Sequence, residues 1–163
     1  SQGCAVRLRP AAGPYLVTDR VALSALVHRY AAGVDDGEID AVIGLFSAEA
    51  ELVLPEPPDV LTPVTAHRGA EAIRTALAAV TTVGRTHHGI DSEVYRDGAE
   101  PDVAQGRIGG TAHHFARRDD AITDLVWYLR YDDDYRRTRG GWLFTRRALT
   151  IDAIETRPVR RLR

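Results

Sequence analysis

The chain has 163 residues, 44% hydrophobic and 27% charged, enough apolar material for a single domain with one substantial core. Its 23 acidic and 21 basic side chains are interspersed and leave a formal charge of -2, so no one-signed field is present to attract nucleic acid or an anionic membrane. The chain contains no lysine, which excludes Schiff-base catalysis and covalent pyridoxal chemistry.

Residues 1–17 read as an irregular lead-in broken by Gly3, Pro10, Gly13 and Pro14. Thr18 offers an N-cap, and Val21, Leu23, Leu26, Val27, Tyr30, Ala31 and Val34 recur at helical spacing. That helix is predicted to end at Asp35-Asp36-Gly37, where glycine can take the left-handed conformation. A second helix is predicted over 39–46, with Ile39, Val42, Ile43 and Phe46 on one side. Glu49 to Leu54 alternates as a short strand, and Pro55, Pro57, Pro58 and Pro63 then predict an extended loop that can cover a pocket mouth. Gly69 to Val80 supplies a third helix. From Thr86 onward, turn signals at Arg96-Asp97-Gly98, Arg118-Asp119-Asp120 and Thr138-Arg139-Gly140-Gly141 delimit four strands, over 86–96, 102–118, 122–137 and 141–155. A sheet of strands this long must twist and curl. Helices first and an antiparallel meander last is an α+β order. The domain is expected over 18–155, followed by an arginine-rich solvated tail over 156–163.

Strand alternation assigns the polar side chains to faces. In the first long strand His88 shares a face with Ile90, Ser92 and Val94, which favours His88 over His87 as the inward histidine. In the second, Gly106, Ile108, Gly110, Ala112 and His114 share a face, which favours His114 over His113. The third strand is apolar on both sides; Ile122, Val126 and Tyr128 are assigned inward, and Trp127 and Tyr131 to an outer face suited to a subunit contact. In the last strand alternation leaves open whether Arg146 or Arg147 faces in; Arg146 is the candidate carried forward. His28 and His67 are expected to be solvated.

Absent features narrow the function. Cys4 is the only cysteine, so no intrachain disulfide can form and a cytoplasmic location is expected. No apolar stretch approaches the roughly 20 residues that cross a bilayer, and the first residues carry no hydrophobic signal core. There is no GxSxG, GxGxxG, GxxxxGK[ST] or CxxC motif, which removes most support for serine-hydrolase, dinucleotide and nucleotide-hydrolysing readings.

The helix ending Tyr30-x4-Asp35-Asp36-Gly37-x2-Asp40, the strand segment THHGIDSEV and the closing YDDDYRRTRGGWLFTRRAL resemble the SnoaL-like, nuclear-transport-factor-2-like superfamily over roughly residues 18–155. The resemblance implies a cone-shaped, strongly curved antiparallel sheet packed on three helices around a deep apolar pocket. Members include dehydratases, isomerases and polyketide cyclases, together with binding and dimerisation domains, so fold alone does not set function. Asp35 falls where the dehydratase and cyclase branches carry a catalytic aspartate, and Tyr30 where the bile-acid dehydratase group carries a functional tyrosine. His88 and His114 match the histidine pair of the scytalone dehydratase branch. That branch's two pocket tyrosines would fall near Val34 and Leu54, so its polarising groups are missing here.

The expected function is therefore a cofactor-independent dehydratase, isomerase or cyclase acting on an apolar polycyclic or polyketide-like molecule, in secondary metabolism. Asp35 and His88 form the acid/base centre, with His114 as proton donor and Tyr30 on a carbonyl or enolate. Val34, Leu54, Ile90, Ser92, Ile108, Tyr128 and Arg146 are the expected substrate contacts. His87, His88, His113, His114 and Asp35 also contain the ligands of a two-histidine-one-carboxylate metal site, but alternation turns only one histidine of each pair inward, which leaves enough ligands without redundancy, and no metal is expected. A homodimer is the expected assembly, and the alternative function is a non-catalytic ligand-binding or dimerisation module.

Overall fold

In the computed structural model the described residues are 17–82 and 84–163, with the side chains of Val17, Thr18 and Thr81 outside that set. The lead-in up to residue 16 and the capping side chain of Thr18 therefore lie outside the described residues. Helix α1, Val17–Asp36, buries Leu23, Leu26, Val27, Tyr30, Ala31 and Val34, the stripe expected from residues three and four apart. It stops at Gly37, whose φ of 71° places it in the left-handed region; its N–H closes the helix on the Val34 carbonyl at 3.2 Å.

Helix α2, Ile39–Ile43, is shorter than predicted, because Phe46 opens strand β1, Phe46–Glu56, instead of ending the helix. Its ring packs on Phe144 at 5.1 Å, a contact the strand direction makes possible. The predicted proline loop is a second correction. Pro57 and Pro58 make the turn of a β-hairpin, and the chain returns as β2, Val60–Arg68, with Leu54 opposite Thr65. Pro63 is tolerated there because β2 is an edge strand, where a missing N–H leaves no neighbour unpaired.

Helix α3, Gly69–Thr81, precedes four long strands: β3, Arg85–Asp97; β4, Val103–Arg118; β5, Ala121–Thr138; and β6, Gly141–Val159. They form one six-stranded sheet in the order β2-β1-β6-β5-β4-β3, antiparallel except where β1 runs parallel to β6. The architecture is α+β: a curved sheet packed on three helices, with Leu26, Ile73, Ile108 and Phe144 in the core between them.

Two register features correct the face assignments. A bulge between Ile90 and Ser92 inserts one residue into β3, so Ile90 stays on the face of His88 while Ser92 and Val94 turn to the opposite one; Val94 is 65% exposed. On β5, Leu125 pairs with His114 and Trp127 with Ala112, which puts Leu125, Trp127, Leu129 and Tyr131 on the concave face and Ile122, Val126 and Tyr128 on the outer one. The aromatic face from which a homodimer was expected is thus turned inward, and that argument for dimerisation lapses.

Candidate active site

Asp35 lies in the last turn of α1, where the helix delivers it to the start of β3. One carboxylate oxygen, Oδ1, accepts hydrogen bonds from the His88 ring at 2.6 Å and the Thr86 hydroxyl at 2.9 Å; Oδ2 accepts from the His88 backbone N–H at 2.7 Å. A carboxylate can only accept, so the proton of the neutral His88 ring sits on Nδ1, and Nε2 is left with its lone pair. The two side chains are 17% and 9% exposed. Burial pushes the Asp35 pKa up, but the hydrogen bonds from the His88 ring and backbone, the His88 charge and the Thr86 hydroxyl outweigh it, and the carboxyl ends below its ordinary value. His87 is 3.9 Å from Oδ2 and 70% exposed, a peripheral contact beside this dyad.

His114, on β4, donates from Nδ1 to the Leu125 carbonyl at 3.0 Å, which again leaves Nε2 as the acceptor of the neutral ring. Its ring lies 4.4 Å from that of Trp127. Burial lowers its pKa, only partly opposed by the Leu125 carbonyl, with the nearby His88 adding to the fall. His113 points the other way and pairs with Asp124 at 2.6 Å on the outer face.

His88, His114 and Tyr30 line one cavity of about 410 Å³, walled by Val34, Leu54, Leu77, Leu125, Trp127 and Leu149 among others. Tyr131 lines it too, its ring 6.0 Å from that of Tyr30. No described side chain or backbone group pairs with either hydroxyl. Burial raises the pKa of both phenols, against the pull of Arg147, so both remain donors throughout the accessible pH range.

Beneath the two tyrosines lies Arg147, fully buried, its guanidinium carbon 4.2 Å from the Tyr30 ring centre, 3.8 Å from Tyr131 and 4.6 Å from Phe144. Its Nε is 3.1 Å from Asp133 Oδ1, within ion-pair distance but without hydrogen-bond alignment: that oxygen and all three guanidinium nitrogens are buried with no aligned partner. Asp133 Oδ2 accepts from Tyr135 at 2.7 Å, and burial raises the carboxyl to about 6 although Arg147 pulls it down. Tyr30 and Tyr131 border the cavity and Tyr135 does not, so this ion pair is a fixed dipole with its positive end toward the cavity floor.

The remaining substrate candidates divide. Val34 and Leu54 line the cavity. Ile90 and Ile108 share its face without bordering it. Ser92, Tyr128 and Arg146 belong to the outer face, where Tyr128 donates to Glu155 at 2.8 Å and Arg146 pairs with Glu51 at 3.3 Å. Of the two candidate arginines, Arg147 is the one that faces in. Sequence reasoning missed Tyr131, Trp127 and Arg147, and also Glu56, Thr65 and His67 of the hairpin, all on or just under the cavity wall. Among the described residues no cluster of three or more His, Cys, Asp or Glu is arranged to hold a metal ion, and no helix is long and apolar enough to cross a membrane.

No curated protein matches the chain. Among solved structures, a protein of Novosphingobium aromaticivorans provisionally named an aromatic ring hydroxylase is 24% identical, covers 90% of this chain and 96% of its own, and superposes with a TM-score of 0.73. A second protein of that organism, provisionally named a scytalone dehydratase, is 19% identical over 90% and 97% of the two chains, with a TM-score of 0.71. A hexachlorocyclohexane dehydrochlorinase, LinA-type3 of Novosphingobium barchaimii, is 15% identical over 90% and 93%, with a TM-score of 0.69. At these identities the likeness is one of fold. The model of the SnoaL-like domain matches residues 16–148, most of the chain, and the chain therefore belongs to the SnoaL-like domain family.

Proposed function

We propose that the chain is a cofactor-independent acid/base enzyme, a dehydratase, isomerase or cyclase, acting on an apolar polycyclic or polyketide-like molecule in cytoplasmic secondary metabolism. The observation that carries this reading is the 2.6 Å contact between His88 Nδ1 and Asp35, which fixes the ring with Nε2 free in the wall of an apolar cavity. In the proposed chemistry Nε2 takes a proton from a carbon beside a carbonyl, and Asp35 stabilises the imidazolium that forms. The hydroxyls of Tyr30 and Tyr131 donate to the carbonyl oxygen as it becomes an enolate, with the positive end of the Arg147–Asp133 dipole behind them. In an isomerisation His88 returns the proton to another carbon; in an elimination the C–O bond breaks and the leaving hydroxide takes that proton back from the His88 imidazolium to depart as water, because the neutral His114 ring has none on Nε2 to give.

Proton abstraction can be tested before the substrate is known. Bicyclic and tricyclic ketones that bind in the cavity should exchange the hydrogen beside the carbonyl for deuterium in D₂O, read by mass spectrometry. His88→Ala and Asp35→Asn should each slow that exchange by about 10²–10⁴-fold with binding retained. Exchange at the same rate in both variants would sink the acid/base assignment and favour a ligand-binding module.

A further inference from the structure

The cavity has polar groups from opposite edges of the sheet. His88 and His114 come from β3 and β4 at one edge, whereas Glu56, Thr65 and His67 come from the β1–β2 hairpin at the other. Strands β1 and β4 are three steps apart in the sheet order, roughly 14 Å along its surface at about 4.8 Å per step and less across the curl. Between them the sheet contributes Leu149, Leu129 and Tyr131 to the wall, apolar apart from the tyrosine hydroxyl. A ligand of two or three fused rings would span the interval and meet polar groups at both ends.

The hairpin end has one sign of preference. The Thr65 hydroxyl donates to Glu56 Oε1, which holds the carboxylate at the cavity wall and leaves Oε2 as an acceptor. No described group pairs with the ring of His67, which can accept through a ring nitrogen. No arginine borders the cavity and the chain has no lysine, so an anionic group there would face the Glu56 carboxylate with no fixed countercharge. A hydroxyl, by contrast, gains a charge-assisted hydrogen bond.

We propose that Glu56, with Thr65 and His67, forms an acceptor subsite that selects uncharged fused-ring substrates carrying a hydroxyl at the end opposite their reacting carbonyl, and that excludes carboxylates. This rests on the reading of the cavity as the substrate site and adds the class of substrate it takes.

Three probes that differ at one end test it: 6-acetyl-2-naphthol, 2-acetylnaphthalene and 6-acetyl-2-naphthoate, with dissociation constants measured by fluorescence or calorimetry. The naphthol should bind about 10-fold more tightly than acetylnaphthalene, and the naphthoate about 10-fold more weakly, the ratio that one such interaction provides. In Glu56→Leu both ratios should collapse to within about twofold, while acetylnaphthalene itself changes little. Glu56 is exposed at the end of β1, so this variant keeps its fold. Equal binding of naphthol and acetylnaphthalene by the wild type, or a preference that survives in Glu56→Leu, overturns the proposal. Repeating the series in His88→Ala separates the two readings: the hydroxyl preference should persist there even if deuterium exchange disproves the acid/base role.

Discussion

Replacing Arg147 by methionine isolates what the buried ion pair does. Arg147 and Asp133 are both sealed from solvent, so the single substitution strands a carboxylate in the core, at a cost of about 3–5 kcal/mol. In a chain of this length that is a fall in Tm of roughly 6–20 °C. The loss should depend on pH in a defined direction. Burial already raises the Asp133 carboxyl to about 6 with Arg147 opposing the rise, so without Arg147 it moves higher still. A carboxyl whose folded-state pKa exceeds its unfolded value of about 3.9 holds its proton more tightly when folded; the stability it contributes is present below that value and lost as pH rises through the folded one. The deficit of Arg147→Met should therefore be small at about pH 4 and grow as pH rises above about 6, read by urea denaturation. Adding Asp133→Asn removes the stranded charge but keeps an oxygen for the Tyr135 hydroxyl, and should bring stability back to within about 1 kcal/mol of the wild type. That restored protein should still exchange ketone hydrogens at least about 10-fold more slowly, because the positive end of the dipole is gone from the cavity floor. A single variant that loses under 1 kcal/mol at neutral pH, or a deficit indifferent to pH, would refute the electrostatic account.

Three further outcomes follow from the same geometry. Asp35→Asn replaces one acceptor oxygen with an NH₂ group among the hydrogen bonds from His88 and Thr86, and should cost about 1–3 kcal/mol at neutral pH. Because the folded-state pKa of Asp35 is lowered, the wild type's advantage is present above about pH 3.9 and should vanish as pH falls through the folded value; a gap that stays constant into acid contradicts the assignment. The lowered pKa of His114 means that folding favours its neutral ring, so wild-type stability should decline as pH falls below about 6.5 and His114→Gln should flatten that slope in parallel urea titrations. Gly110→Ala would place a Cβ 2.2 Å from the Gly89 carbonyl oxygen, forcing β3 and its His88 away from β4; it should destabilise by about 2–4 kcal/mol, whereas Gly140→Ala, whose Cβ meets nothing nearer than 3.7 Å, should be silent by thermal melt.

The parts of the molecule that were legible in the sequence are those set by local pattern. The α1 stripe from Leu23 to Val34, the stop at Gly37 and the four long strands all follow from spacing and turn chemistry within a few residues. The hairpin was not legible, because prolines read as loop unless the strand is known to lie at an edge, which is a property of the whole sheet. The reversed faces of β5 had a usable signal. The tight turn after Arg118 pairs Arg118 with Ala121, and counting back from it sets Leu125 opposite His114 and Trp127 opposite Ala112. Apolarity on both sides of β5 hid the pattern, and register would have resolved it. The bulge after Ile90 had no such signal, since one inserted residue shifts Ser92 and Val94 without any turn or proline to mark it. His88 and His114 escaped these errors because they precede the bulge and lie near the turn.

The displaced polarising groups bear on how a substrate would lie. In the branch the sequence resembles, two pocket tyrosines would stand near Val34 and Leu54, and both positions here are apolar parts of the cavity wall. Tyr30 is one helical turn before Val34 on the same buried stripe of α1, and Tyr131 reaches the cavity from β5. The tyrosine hydroxyls of this cavity thus lie over Arg147, while the hairpin supplies the Glu56 carboxylate as an acceptor. A carbonyl seeks donors and a hydroxyl seeks an acceptor, so the proposed substrate would enter carbonyl first, toward Tyr30 and Tyr131, with its hydroxyl left at Glu56. In that orientation the carbon beside the carbonyl is carried toward the His88 edge of the sheet, where the His88 imidazole, with the Asp35 carboxylate behind it, can take its proton.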